Sequence, residues 1–213
     1  MQGFGNLLEG YRRFRANRYE TEIGRWKQLA EGQAPRAVVI ACSDSRADPA
    51  TIFDSSPGEI FVVRNVANLV PPYEANGGRH GVSAALEFAV TQLRVPEIVV
   101  MGHERCGGIE AALTGCFHGA PAGEGGFVHR WMSQIDGAAS DIAERHGTGP
   151  EAARMLEEIA IRQSLANLRT FPFVGKREKA GDVAILGCHF SISEGQLYLL
   201  DEAEDAFHPV ATE

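Results

Sequence analysis

Two β-branched runs, each emptying into a turn that carries metal-type side chains, constrain this chain more than any other feature. Ala37-Val38-Val39-Ile40-Ala41 leads directly into Cys42-Ser43-Asp44-Ser45-Arg46, which sets a thiol, a carboxylate and a guanidinium in one short turn. Glu97-Ile98-Val99-Val100-Met101 leads into Gly102-His103-Glu104-Arg105-Cys106-Gly107-Gly108, a His-x-x-Cys turn. If the two runs are neighbouring parallel strands, their carboxyl ends share one edge of the sheet, where open α/β folds place their sites. Cys42, His103 and Cys106 then converge as a soft three-ligand zinc set with one position left for water.

The remaining chain fits an α/β reading. Leu7, Tyr11 and Phe14, then Tyr19, Ile23 and Trp26, recur at helical spacing on a charged segment, predicting two amphipathic helices over 1–34 with a break near Gly24. Asp48-Pro49 reads as a helix cap followed by proline at the first helical position. Ile60-Phe61-Val62-Val63 reads as a strand buried on both faces. Val82, Ala85, Leu86, Ala89, Val90 and Leu93 form a helical stripe stopped at Pro96. Phe127, Trp131, Ile135, Ala138 and Ile142 predict one long helix, and Pro150 starts another with Leu156, Ile159, Leu165 and Leu168 inward. Residues 183–186 and 196–200 flank Ser193-Glu194-Gly195, a hairpin turn. The expected architecture is a single three-layer α/β domain. Its mainly parallel sheet has about five strands, the last antiparallel, with a helical arm at 1–34 and a core at 35–213.

At 213 residues the chain suffices for one sizeable core. A net charge of −8 argues against a nucleic-acid binder, which needs a basic surface. The apolar runs are too short for a membrane helix, and the Arg-rich start lacks the apolar segment of a secretory signal. The expectation is a cytoplasmic protein whose four cysteines, Cys42, Cys106, Cys116 and Cys188, are reduced.

Cys106 precedes a glycine-opened helix, whose exposed N–H groups favour a thiolate. Two thiolates donate much charge to a metal, so its bound water needs help to ionise. Asp44 can accept a hydrogen bond from that water while Arg46 holds the carboxylate, or it can swing onto the metal and close the site. Cys188-His189 also ends a predicted strand; were Cys188 a fourth ligand, the site would be closed and structural. Cys116 reads as core, and His80, His118 and His129 as surface or loop residues.

Cys42-Ser43-Asp44-Ser45-Arg46 followed by Gly102-His103-Glu104-Arg105-Cys106-Gly107-Gly108 closely resembles the β-class carbonic anhydrases. The resemblance runs from Gln33 through Gly108 and includes Pro57-Gly58-Glu59, Arg64-Asn65-Val66-Ala67-Asn68 and Pro71-Pro72-Tyr73. It implies reversible hydration of CO2 to bicarbonate and a proton by zinc-bound hydroxide, with one Zn2+ per chain on Cys42, His103 and Cys106. It also implies an Asp44/Arg46 gate, and a homodimer or multiple of dimers in which the N-terminal helices embrace a neighbour. The plant-type group is the more similar: Gln33 matches its substrate-bonding glutamine, and Phe61, Val66, Phe88 and Gly107 fall at pocket positions. The other group holds an inhibitory bicarbonate with Trp, Arg and Tyr. Here those positions are Val39, Arg64 and Phe190, so that site is expected to be absent and Asp44 to stay paired with Arg46.

Two other functions share these residues. Relatives with the same ligands hydrolyse carbonyl sulfide or carbon disulfide, and a closed site would suit a non-catalytic, zinc-stabilised binding protein.

Overall fold

The computed structural model describes residues 2–75 and 78–212. Its centre is β1 (Ala37–Cys42), buried at every position because a parallel neighbour flanks it on each side. These are β2 (Ile60–Asn65) and β3 (Glu97–His103). β4 (Ala184–Ser191) extends the parallel set beside β3, and β5 (Gln196–Asp201) and β6 (Ala206–Pro209) complete it as antiparallel strands. The order is β2-β1-β3-β4-β5-β6. The sheet thus has six strands rather than about five, and its last two are antiparallel. β6 escapes the sequence because Ala206-Phe207-His208-Pro209 is short and interrupted by polarity. The reading of β2 as buried on both faces is also corrected: it lies at the sheet edge, with Val62 38% exposed. A continuous apolar run does not reveal which strand has no outer neighbour.

The contacts divide the chain into two compact units, Met1–Ala34 and Pro35–Glu213. In the first, α1 (Gln2–Arg13) continues through a wider π-helical stretch, Phe14–Tyr19, to a turn at Glu22, and α2 (Ile23–Glu31) follows. Gly24 therefore lies inside α2, not at the break. Trp26 joins the pieces, its ring 5.3 Å from Phe14 and 5.8 Å from Tyr19. Phe4, Leu7 and Tyr11 face outward.

In the second unit, α3 (Pro49–Ile52) is capped by Asp48, whose carboxylate accepts from Thr51 N at 3.0 Å. α4 (Gly81–Glu87) widens into a π-helical turn over Phe88–Gln92. Next come α5 (Gly107–Thr114), α6 (Gly126–Met132), α7 (Asp136–His146), α8 (Pro150–Thr170) and α9 (Pro172–Lys179). The single helix expected over Phe127 to Ile142 is broken by a 3-10 turn, Ser133–Ile135; Trp131, Ile135, Ala138 and Ile142 do face inward, but Phe127 is exposed. α9 was not foreseen; it buries Val174, packs Phe173 against the core, and is charged over Lys176–Lys179.

Strand alternation assigns the layers. Val38, Ile40, Ile98 and Val100 pack with Leu86 and Val90 near α4 and with Ile161, Leu165 and Leu168 of α8. Val39, Ala41, Met101 and Cys188 point the other way, toward Ile52 and Phe53. α8 approaches the sheet closely only because β3 and β4 carry glycines beneath it. A Cβ at Gly102 or Gly187 would lie 2.8 Å from Ile161. That contact seats α8 over the residue before His103. Among the described residues, no helix is long and apolar enough to cross a membrane.

Candidate metal and catalytic site

The carboxyl ends of β1 and β3 are adjacent in register, with Ala41 opposite Met101, so Cys42 and His103 leave the sheet at one edge. The turn after His103 needs Arg105 in the left-handed conformation, φ 54°, a strained state costing about 1–3 kcal/mol for a residue with a Cβ. It returns the chain at once, placing Cys106 at the cap of α5. The donor atoms of Cys42, His103 and Cys106 then lie within 4.8 Å of one another, and all three residues are buried. The structure brings together the trio of side chains that the sequence singled out. Cys188 does not join it: it packs with Val39, Ala41 and Met101, and burial pushes its thiol up to about 12. Cys116, expected in the core, is exposed in the loop after α5. Its neighbours Gly115 and His118 turn the chain outward there.

The trio's geometry fits a metal. Cys42 Sγ and Cys106 Sγ are 3.8 Å apart, the edge expected of a tetrahedron with metal–sulfur bonds of about 2.3 Å. His103 Nδ1 lies 2.9 Å from Glu104 O. A carbonyl only accepts, so the proton is on Nδ1 and the Nε2 lone pair is free. That buried Nε2 has no hydrogen-bond partner, a costly state that a cation relieves. The chemistry of two sulfurs and an imidazole selects a soft or borderline divalent ion.

The two thiols behave as one pair. Cys42 is lowered to about 4 by a hydrogen bond from the Cys106 thiol, against the cost of burial, and with help from His103 and the amides of Asp44 and Ala67. Cys106 is driven up by that same contact and by its own burial. The direction that stands is a pair holding one proton, whose second ionisation awaits a cation. Burial opposes charge on His103, but the adjacent Cys42 sulfur outweighs it and raises the ring.

Arg46 organises the turn around Asp44. Its backbone N and Nε donate to Asp44 Oδ1 at 2.9 and 3.0 Å, and its Nη2 donates to Oδ2 at 2.7 Å. The same Nη2 donates to Arg105 O at 3.0 Å, tying the Cys42 and His103 turns together. These bonds hold the Asp44 carboxyl well below the usual carboxylate range, despite some burial. Asp44 Oδ2 lies 4.0 Å from His103 Nε2, at the rim of the trio. Arg64 braces the turn from β2, donating to Cys42 O at 2.9 Å, Asp44 O at 2.6 Å and Asp48 Oδ2 at 2.9 Å.

Of the expected pocket residues, Val66 is the best placed. Its Cγ1 occupies the space a Cβ on Gly108 would need, 2.5 Å away, and its carbonyl accepts from Trp131 Nε1 at 2.7 Å. Gly107 is exposed with open space before it. Phe61 and Phe88 pack on each other, ring centroids 5.9 Å apart, within the α4 layer rather than the cluster containing Cys42 and Cys106. Gln33 belongs to the arm's unit.

A buried chain behind the site was missed. Glu157 of α8 accepts from Cys106 N at 3.2 Å and pairs with His189 Nε2 at 2.8 Å; His189 Nδ1 meets Arg154 Nη1 at 2.8 Å. A guanidinium only donates, so Nδ1 accepts and Nε2–H points at Glu157. Glu157 and His189 are 3% and 0% exposed. The available signal was an acidic residue at an inward position, directly after Leu156 and four before Ile161.

Glu104, between the two ligands, fastens this turn to the β4–β5 turn. It accepts from Ser193 N at 2.7 Å and Ser193 Oγ at 3.0 Å. These bonds lower its carboxyl. A depressed folded value means the stabilisation is present above the unfolded carboxyl's pKa of about 4.3 and is lost as pH falls through the folded value. Glu104→Gln is expected to cost about 1.5 kcal/mol at pH 7, roughly 3–6 °C in Tm. The gap from wild type should narrow as pH drops below 4. Equal melting at pH 7 would remove this tether.

Comparison with known proteins agrees with the geometry. The family model described as carbonic anhydrase matches residues 37–197. The chain is 38% identical over 209 residues to "Carbonic anhydrase" of Pseudomonas aeruginosa, covering 97% of this chain and 91% of that one. It is also 38% identical over 187 residues to "Beta carbonic anhydrase 6, mitochondrial" of Arabidopsis thaliana, covering 87% of this chain but only 63% of the relative's length. Among solved structures, the β-carbonic anhydrase CcaA superposes with a TM-score of 0.89 at 29% identity, covering 100% of this chain and 94% of that one. A tetrameric β-carbonic anhydrase of Sordaria macrospora gives 0.79 at 26% identity, with 99% and 100% covered. With two cysteine sulfurs and a free imidazole nitrogen meeting where matched sequence and matched fold coincide, the chain belongs to the β-class carbonic anhydrase family.

Proposed function

We propose that this chain catalyses the reversible hydration of carbon dioxide to bicarbonate and a proton, with zinc held by Cys42, His103 and Cys106. The observation that carries the reading is the unpartnered, buried His103 Nε2 beside two sulfurs at tetrahedral spacing. Zinc, when bound, supplies the Lewis acidity that brings a water near neutral pKa. Asp44 accepts a hydrogen bond from the reacting water at Oδ2 and turns the water's remaining lone pair toward the substrate carbon. Arg46 keeps Asp44 ionised and holds it off the metal position, making the pair the gate. Val66 and Gly107 present an apolar, open approach suited to a small linear molecule. Arg64 is occupied by the Cys42–Asp48 turn, and Val39 is core. Both facts support the reading that no inhibitory bicarbonate site operates here. The test is metal content with stopped-flow hydration. One zinc per chain and rapid CO2 turnover are expected; faster turnover of carbonyl sulfide or carbon disulfide would reassign the substrate.

The working form in this reading is a dimer or multiple of dimers. The support is the outward apolar stripe of α1, with Phe4, Leu7 and Tyr11 at 66%, 69% and 59% exposure, and the tetrameric Sordaria relatives. Leu7→Glu combined with Tyr11→Glu is expected to halve the particle mass measured by light scattering, or reduce it further. An unchanged mass would place the assembly surface elsewhere.

A further inference from the structure

The loop between α5 and α6 gathers three side chains that the site above does not use. α5 ends at Gly115 in the left-handed conformation, and His118 N donates to Gly115 O at 3.0 Å, folding the loop back over the helix end. Gly126 N then donates to Pro121 O at 3.0 Å and delivers the chain into α6. His129 faces His118 from α6, ring centroids 4.7 Å apart at 63°. Asp136, first residue of α7, completes the group, and the three donor atoms lie within 4.8 Å of one another. They line a cleft, with Val128 and Met132, holding about 10 Å³ of room, the space of roughly one water-sized occupant. Among the described residues, no hydrogen bond or ion pair within the chain engages any of these three side chains.

We infer that His118, His129 and Asp136 form a second metal site, for a divalent first-row transition ion of the zinc, nickel or cobalt class. Two imidazoles and one carboxylate make a borderline donor set, unlike the all-oxygen sets that calcium and magnesium require. Metal bonds of about 2.0–2.2 Å draw donors to roughly 3–3.5 Å apart, and the surface position of His118 leaves its rotamer free to close that distance. The bound ion pins the 115–125 loop to α6 and α7. α6 also carries Trp131, which holds Val66 O at 2.7 Å, so the clamp backs one wall of the first site.

Protein carrying one zinc per chain is dialysed against cobalt chloride, and its metal content and absorption spectrum are measured. The expected result is one further equivalent per chain, with cobalt d–d bands but no sulfur-to-cobalt charge transfer. His118→Asn with His129→Asn should lose that equivalent and keep the first, and Asp136→Asn should weaken it tenfold or more. Three results would overturn the site: no cobalt beyond the first equivalent, charge-transfer bands showing uptake by thiolates, or an extra equivalent that survives in the double variant. If the double variant does not fold, Asp136→Asn and the wild-type spectrum decide on the same terms.

Discussion

Replacing Asp44 with asparagine is expected to cut CO2 hydration about 100-fold or more while leaving one metal ion per chain in place. Three donors converge on the Asp44 carboxylate: Arg46 N, Nε and Nη2. An amide offers one oxygen: with it at the Oδ1 place, Arg46 N and Nε are still met, but Arg46 Nη2 loses its acceptor and so does the rim beside His103 Nε2. A 100-fold loss corresponds to about 2.7 kcal/mol of transition-state stabilisation, within reach of one positioned proton acceptor. The measurements are kcat by stopped flow and metal by mass spectrometry. Activity within twofold of wild type would remove Asp44 from the reaction, and metal loss would make its role structural.

The second large effect lies behind the site. Glu157→Ala strands two buried donors, Cys106 N and His189 Nε2–H, each worth about 1–3 kcal/mol when left unmet. A loss of about 4 kcal/mol follows, or roughly 8–16 °C in Tm for a chain of this size. Glu157→Gln should fall between wild type and alanine. Its oxygen can serve one donor, but its amide nitrogen then faces the other, and Arg154 prevents the His189 ring from changing tautomer. Thermal unfolding of both variants checks this. Melting within 2 °C of wild type for Glu157→Ala would mean that Cys106 N is satisfied some other way.

The trio was legible because Cys42 and His103 end two β-branched runs, Cys106 follows His103 by one short turn, and parallel neighbours bring strand ends to one edge. The Asp48 cap and the β4–β5 turn were legible because their signals are local. β2 was misplaced because strand order is a property of the sheet, not of the strand. Cys116 was misread because an isolated cysteine has no periodicity to say which way it faces. Phe61 and Phe88 were placed by resemblance alone, and their mutual stacking in the α4 layer is a packing outcome that no spacing encodes.

The order of residues along the chain settled which atoms could bind a soft ion and that they would arrive together, since alternation, turn chemistry and donor type are written locally. Folding in three dimensions decided what surrounds them. Arg46 reaches Arg105 across 59 positions, and Glu157 reaches Cys106 across 51. Such polar contacts depend on how a helix seats against a sheet, here through the glycines under Ile161. That seating is set by the complementary shapes of distant side chains, which only the packed structure brings face to face.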